Sequence, residues 1–289
     1  MTTVIDYSVK EKCQWCPGCG DFAILGALKQ ALSELEIPPH ETVVCSGIGC
    51  SSKLPHYLRT YGYEAIHGRG LPVASGIKLA NHKLNVISVG GDGDGYGIGT
   101  AHFVHIMRRN YDLTYVVHDN QIYGLTTGQA SPTSQLGMKT KTTPFGVVEV
   151  PFNPIATAII GGATFVSRVF AGDVIHMKEV IKQAIEHKGF ALVDVLQPCV
   201  SFNKLNTYDF FKKRCYKLEE SGHDPSDSGK ALEKALEAPS SNYEKIPIGV
   251  FFKEQRATYE SSLPQIEKEA LVEKDLSKID ISSALKEFE

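Results

Sequence analysis

The stretch Gly90-Gly-Asp-Gly-Asp-Gly-Tyr-Gly-Ile-Gly99 constrains this chain more than any other. It follows Leu84 to Val89, a β-branched run that reads as a buried strand, and it precedes Ala101 to Arg109, which reads as a helix. A strand that leaves through glycines and enters a helix brings backbone amides close to whatever lies in the turn, and the helix N-terminus favours an anion there. Three familiar motifs fail on register. A dinucleotide fingerprint begun at Gly91, Gly93 or Gly95 needs glycine at Tyr96, Ile98 or Thr100. A calcium loop counted from Asp92 puts Tyr96 and Phe103 where oxygen ligands belong, and the lysine of a phosphate-binding loop is missing. A hard-cation site fits instead. Asp92 ends one strand and Asn120 the next, and a strand–helix–strand unit of roughly 30 residues brings two such ends side by side. A carboxylate, an amide oxygen and a backbone carbonyl leave positions open for diphosphate oxygens and water, as magnesium requires.

The rest of the chain repeats this alternation. Leu25, Leu28, Leu32 and Leu35 mark one face of a helix ending near Pro38-Pro39. Strands are expected at Thr42–Cys45, Leu113–Val117 and Phe190–Leu196. Asp173 caps a helix whose apolar face is Val174, Met177, Ile181 and Ala184, with Gly189 as its stop. The pattern predicts an α/β fold, an open and mostly parallel sheet with helices on both faces and its site at the carboxyl edge of the strands. After about residue 216 the sequence turns polar, and Gln265 to Glu289 reads as a charged helical stretch. The division expected is 1–215 for the binding domain and 216–289 for an extended C-terminal arm that contacts another subunit.

Composition excludes several classes. With 289 residues, 42% hydrophobic and 22% charged, the chain is neither disordered nor fibrous. A net charge of −3 carries no basic footprint for nucleic acid or an anionic membrane. No apolar run approaches the roughly 18 residues of a membrane span, and the start lacks a secretory leader, so a cytoplasmic protein is expected. Seven cysteines in that setting point to metal or redox chemistry rather than disulfides. Cys16, Cys19, Cys50 and Cys199 lie beside glycine or proline, where backbone amides can face sulfur. Cys13, Cys45 and Cys215 lack that setting, and Cys45, within a strand, reads as a core residue. Four thiolates suit structural zinc as well as an iron–sulfur cluster. A redox C-x-x-C motif following Trp15 is a further rival, but it precedes any strand.

Together the motifs resemble one family. The Asp92…Asn120 pattern is similar to the thiamine-diphosphate motif. With Trp15-Cys-Pro-Gly-Cys-Gly20, Ser46-Gly-Ile-Gly-Cys-Ser51, His67-Gly-Arg69, His118-Asp-Asn120, Tyr123-Gly-Leu-Thr126, Gly128-Gln-Ala-Ser-Pro-Thr133 and Leu196-Gln-Pro-Cys199 it resembles the β subunit of 2-oxoacid:ferredoxin oxidoreductases, the 2-oxoglutarate type among them. The match runs from about residue 12 to 216 and resumes weakly at Ile246-Pro-Ile-Gly-Val250. The resemblance implies a thiamine-diphosphate-binding fold and an oxidative decarboxylation of a 2-oxoacid, 2-oxoglutarate favoured, to an acyl-coenzyme A and CO2. It also implies that electrons pass singly through a 4Fe-4S cluster to ferredoxin. A redox cluster also gives that cofactor somewhere to send electrons, which zinc does not.

By the same resemblance Cys16, Cys19, Cys50 and Cys199 hold the cluster, while Asp92, Asn120 and the carbonyl of Ile122 hold Mg2+. Ile48, Gly49, Cys50, Ser51, His67, Gly91, Gly93, Asp94, Gly124, Leu125 and Thr126 line the cofactor. Lys53 and His67 are candidate substrate contacts, the former at the substrate carboxylate. Thr127 stands where some relatives carry a second lysine, so a two-lysine account of carboxylate selection does not carry over. No ferredoxin-type cysteine run and no second thiamine domain are found. The chain therefore reads as half an active site, completed by an α subunit (or a fused γ/α subunit) in a dimer of heterodimers. The competing readings are a non-oxidative thiamine enzyme with a structural metal and a zinc scaffold without catalysis.

Overall fold

A computed structural model describes residues 2–275, 277 and 279–288. In chain order its regular elements are α1 (Asp21–Glu34), β1 (Thr42–Ser46), β2 (Tyr61–Glu64), α2 (Gly70–Ala80), β3 (Asn85–Gly91), α3 (Thr100–Arg109), β4 (Leu113–Asp119), α4 (Pro154–Ile160), β5 (Phe165–Phe170), α5 (Val174–Glu186), β6 (Phe190–Leu196), α6 (Tyr208–Arg214), β7 (Cys215–Lys217), α7 (Ser228–Ser240), β8 (Ile246–Lys253) and α8 (Ser282–Lys286). The strands form one sheet in the order β2-β1-β3-β4-β6-β5-β8-β7. All pairings are parallel except β5 with β8. The expected open α/β sheet is thus present.

Alternation along the strands makes two cores. Val44, Ile87, Val89, Val116, Val193 and Val195 face α1 and α5, packing on Leu28, Leu32, Val180 and Ile181. Val43, Cys45, Val86, Val117 and Leu192 face the other way, onto α2, α3, α4 and α7 through Leu71, Phe103, Ile155 and Ala231. Buried on both faces, the central strands read as continuous apolar runs, as parallel strands do. Cys45 sits in this second core, and burial pushes its thiol up to about 12. No helix among the described residues is long and apolar enough to cross a membrane.

The C-terminal region departs from expectation. The boundary drawn at 215/216 runs through the sheet, because β8 is a buried strand paired to β5 and carries β7 beyond it. Pro247 and Gly249 had disguised it, since both argue against an interior strand. They are tolerated here because Pro247 pairs only with Tyr216 of β7, and Gly249 takes a φ of +116°. The extended stretch begins only after Lys253. Nor is Gln265 to Glu289 one helix: it holds short 3-10 turns at Pro264–Ile266 and Leu271–Glu273 and the five residues of α8, with 276, 278 and 289 outside the described residues.

The start of that stretch is fastened to the amino edge of the sheet by Asn110. This residue ends α3 in the left-handed conformation (φ +55°), donates to the carbonyls of Arg256 and Ala257, and accepts from Phe190 N at 2.9 Å and Thr164 Oγ1 at 2.7 Å. Glu260 accepts from Asp112 N at 2.8 Å beside it. The opposite, carboxyl edge of the sheet is left to loops.

Candidate functional site

At the carboxyl edge β3 and β4 end side by side, with Gly91 opposite His118 in register. This places Asp92 next to Asp119 and Asn120, as the right-handed crossover through α3 requires. The glycine run after Asp92 is wound as a π-helical turn, Gly93–Ile98, that leads into α3. Close approach explains two of its glycines. A Cβ on Gly93 would stand 2.1 Å from the Tyr123 ring, and one on Gly95 would stand 2.0 Å from the Tyr115 hydroxyl.

A cleft of about 90 Å3 opens there. Every residue expected to touch the cofactor or magnesium lines it: Ile48, Gly49, Cys50 and Ser51 after β1, His67 before α2, Gly91, Asp92, Gly93 and Asp94 after β3, and Asn120, Ile122, Gly124, Leu125 and Thr126 after β4. Sequence reading assigned no role to Tyr123, which also lines it and donates to the Gly93 carbonyl at 3.1 Å.

Within the cleft the carboxylates differ in what they are free to do. Asp94 is spent on scaffolding. Its Oδ1 accepts from Ile48 N at 2.9 Å and Gly68 N at 2.7 Å and meets His67 Nδ1 at 2.7 Å, so it ties three loops together. Gly47 is obligatory beside it, since a Cβ would fall 2.0 Å from Asp94 Oδ2. Asp92 is almost wholly buried, and its side-chain partners are neutral hydroxyls, Ser131 and Thr133, the latter 2.7 Å from Oδ2. Burial pushes its carboxyl up to about 6. The same hydroxyl lies 2.8 Å from Asp119 Oδ1. A hydroxyl has one proton, so Thr133 can donate to only one of these two carboxyls at a time. Asp119 is the carboxyl raised further, by burial first and then by Asp194 and Asp92. Asp194 is neutralised by Arg168 Nε at 2.8 Å and accepts from Tyr96 at 2.9 Å. Thr133 belonged to a quoted motif, but nothing in the sequence marked it as the link between two carboxyls.

The donor set suits a hard cation with an anion. Asn120 Oδ1 accepts from Ile122 N at 3.2 Å, leaving a second lone pair, and none of the described hydrogen bonds ends on the Ile122 carbonyl. Ser51 Oγ is buried without a partner among the described residues and stands 3.4 Å from where a Cβ on Gly91 would be. An orphaned hydroxyl facing a glycine is what a phosphate oxygen would satisfy. His67 keeps Nδ1 on Asp94 and is about a third exposed, with its ring against Tyr123.

A second cavity of about 200 Å3 adjoins the first, and Cys50, Asn120, Gly124 and Leu125 line both. Cys16, Cys19 and Cys199 complete it, as does Lys53, half-buried rather than on the open surface. A Cβ on Gly124 would stand 3.5 Å from Cys199 Sγ and 3.8 Å from Cys50 Sγ, in ordinary contact with both sulfurs, so this glycine lies directly against them. Burial pushes the Cys50 thiol up to about 11 and raises that of Cys19 further. Cys13 and Cys215 do not line this cavity; Cys13 packs on the same apolar cluster as Cys19 and Cys50, and Cys215 on a separate one. Among the described residues no three His, Cys, Asp or Glu converge on one metal ion. All four cysteines singled out in the sequence line this one cavity.

Comparison with known proteins gives consistent matches. Residues 47–195 match the family described as thiamine pyrophosphate enzyme, C-terminal TPP binding domain, and residues 199–268 match the C-terminal region of the pyruvate ferredoxin oxidoreductase beta subunit. A 2-oxoacid:ferredoxin oxidoreductase β subunit of Aeropyrum pernix is 49% identical over 91% of this chain and 85% of its own length. The 2-oxoglutarate oxidoreductase subunit KorB of Mycobacterium tuberculosis is 45% identical over 72% of this chain and 56% of its own. A solved 2-oxoglutarate:ferredoxin oxidoreductase of Magnetococcus marinus, with 2-oxoglutarate, coenzyme A and succinyl-CoA bound, superposes with a TM-score of 0.91 at 38% identity, covering 100% of this chain and 96% of that one.

Proposed function

The chain belongs to the 2-oxoacid:ferredoxin oxidoreductase family as a β subunit, and from that premise we propose that its two adjoining cavities house a thiamine-diphosphate site and a 4Fe-4S site in direct succession. The single observation that carries this reading is their common wall of Cys50, Asn120, Gly124 and Leu125. Asp92, Asn120 and the Ile122 carbonyl hold Mg2+, the cation keeps Asp92 ionised despite its burial, and Ser51 donates to a diphosphate oxygen. Asp94 acts one step back, fixing the Ile48 and His67 loops. Cys16, Cys19, Cys50 and Cys199 hold the cluster. Bound there, thiamine diphosphate supplies the nucleophilic carbon that decarboxylates a 2-oxoacid, and the cluster accepts electrons one at a time.

The substrate is 2-oxoglutarate. Its two carboxylates call for two cations near the shared wall. Lys53 is one, with no described partner for its ammonium. Thr127 brings the other, because Lys141 Nζ donates to its hydroxyl at 3.2 Å where the second cavity opens. A lysine supplied from further along the loop thus stands in for one at position 127. The products are succinyl-coenzyme A and CO2, and the electrons leave to ferredoxin.

In a cytoplasmic dimer of heterodimers, the cofactor site is completed by the α subunit. On the loop that carries Tyr123 to Thr126, Phe145, Val148 and Val150 are almost fully exposed, an apolar patch of the kind a partner covers. The described residues after Lys253 form a further arm against a neighbouring subunit.

The test uses the complex of this chain with its α subunit, assayed for coenzyme A-dependent reduction of ferredoxin and for bound thiamine and iron. Faster turnover of 2-oxoglutarate than of pyruvate, with iron at one cluster per β chain, is expected. Pyruvate preference would overturn the substrate assignment, and an iron-free complex would overturn the cluster.

A further inference from the structure

One contact in the cysteine cavity is not demanded by ligation. Gln197 Nε2 donates to Cys19 Sγ at 3.3 Å. The sulfur's other polar neighbour is Asp21 Oδ2, also at 3.3 Å, whose Oδ1 meets His118 Nδ1 at 2.6 Å. Gln197, Asp21 and His118 are all buried.

The orientation of Gln197 is fixed. Its amide nitrogen also donates to the Pro198 carbonyl at 2.9 Å, and turning the group over would set two carbonyl oxygens against each other. In consequence Oε1 is buried without a partner among the described residues. That cost would not arise if an apolar side chain filled the position. Gly20 makes room for the arrangement, since a Cβ there would stand 2.8 Å from Gln197 Cγ and 3.2 Å from Nε2. No comparable side-chain amide donates to the sulfur of Cys16, Cys50 or Cys199 among the described residues, so the donor is aimed at one corner of the cavity.

We propose that Gln197 is a positioning residue that acts through Cys19: its amide hydrogen bond to the thiolate raises the reduction potential of the cluster. This rests on the iron–sulfur reading above. An added electron makes a ligating sulfur a stronger acceptor, so a fixed N–H donor stabilises the reduced form more than the oxidised one. The donor thereby makes the cluster a better recipient for each electron leaving the cofactor site.

The experiment is a one-electron redox titration of the complete complex, followed by electron paramagnetic resonance, with iron quantified in each variant. Gln197→Leu keeps the bulk and removes the donor. The equilibrium toward the reduced cluster should fall about three- to tenfold, a midpoint about 30–60 mV more negative at the one-electron constant of roughly 59 mV per decade. Gln197→Glu, which replaces the donor with an acceptor, should lie at least as low. Gly20→Ala, which pushes an unaltered Gln197 away from the sulfur, should shift in the same direction. An unchanged midpoint in Gln197→Leu with full iron would overturn the proposal. So would loss of iron in that variant, since a tuning donor is dispensable for assembly. If the unsubstituted complex holds no iron, the cluster reading has failed rather than the role of Gln197 within it.

Discussion

The two edges of the sheet are built on opposite terms. At the amino edge Asn110 sits in a left-handed turn, and its side chain is used up within the chain, donating to two carbonyls and accepting from Phe190 N and Thr164. At the carboxyl edge Asp92 is as deeply buried, yet its side-chain partners are only the neutral hydroxyls of Ser131 and Thr133, and its carboxyl is pushed up to about 6. Nearby, Ser51 Oγ has no described partner. One edge stores stability. The other carries unmet polar demand that a ligand can satisfy, and such demand normally costs the empty fold something.

The sharpest way to break this contrast is Asp92→Ala. Thiamine diphosphate affinity should fall more than roughly 100-fold, beyond what outer-shell changes at metal sites cost. Thermal stability without cofactor should hold or rise, because a desolvated carboxyl is removed. Calorimetric titration paired with a melting curve reads both, and a destabilised variant that still binds would reverse the assignment of the two edges.

Asn110→Ala should do the converse. Leaving several buried groups unpaired costs about 2–4 kcal/mol of stability, while cofactor affinity in the surviving folded protein stays near the parent value. Denaturant unfolding is the measure, and a loss of affinity at unchanged stability would show that the edges are not independent.

A smaller effect is expected from Lys53→Ala. Losing a charge-assisted hydrogen bond to the substrate is worth roughly 1.5–3 kcal/mol, a KM increase of about ten- to a hundredfold. Steady-state kinetics at fixed cofactor and iron content check it, and unchanged kinetics would remove Lys53 from the substrate's path.

The smallest concerns acid. Burial, and then Lys253, lower the His187 imidazole from 6.5 to about 4. The fold therefore holds it neutral while the unfolded chain binds a proton, so stability is unaffected above about pH 6.5 and declines as pH falls from there toward 4. The decline should be on the order of 1–3 kcal/mol. His187→Gln should flatten that part of the stability profile, and an unaltered slope would show the ring is not held neutral.

The carboxyl edge was the more legible in sequence. Glycines and short polar residues at strand ends mark close approach, so Asp92, Asn120 and the cysteines stood out at fixed distances from predicted strands. What stayed hidden acts through contacts between distant segments. Thr133 reads as a loop threonine until Asp92 and Asp119 close on it, and Gln197 reads as a strand-end residue until Cys19 arrives beside it. At the amino edge Asn110 gives no signal beyond a helix stop, since its partners at 256 and 257 lie far along the chain. Strand β8 was missed for a local reason: proline and glycine mask a strand whose register only β5 and β7 supply.

That late strand has a consequence for how the protein is made. Phe165-Val-Ser-Arg-Val-Phe170 is buried throughout, yet one of its two hydrogen-bonding flanks is closed only by residues 246–253. During synthesis the parallel strands can assemble while β5 still presents an open, apolar, β-branched flank, the kind of edge that templates association between chains. The antiparallel strand is therefore a closure as well as a building block, and a nascent chain released before residue 253 would be sticky at β5 even with every cofactor-facing loop already synthesised.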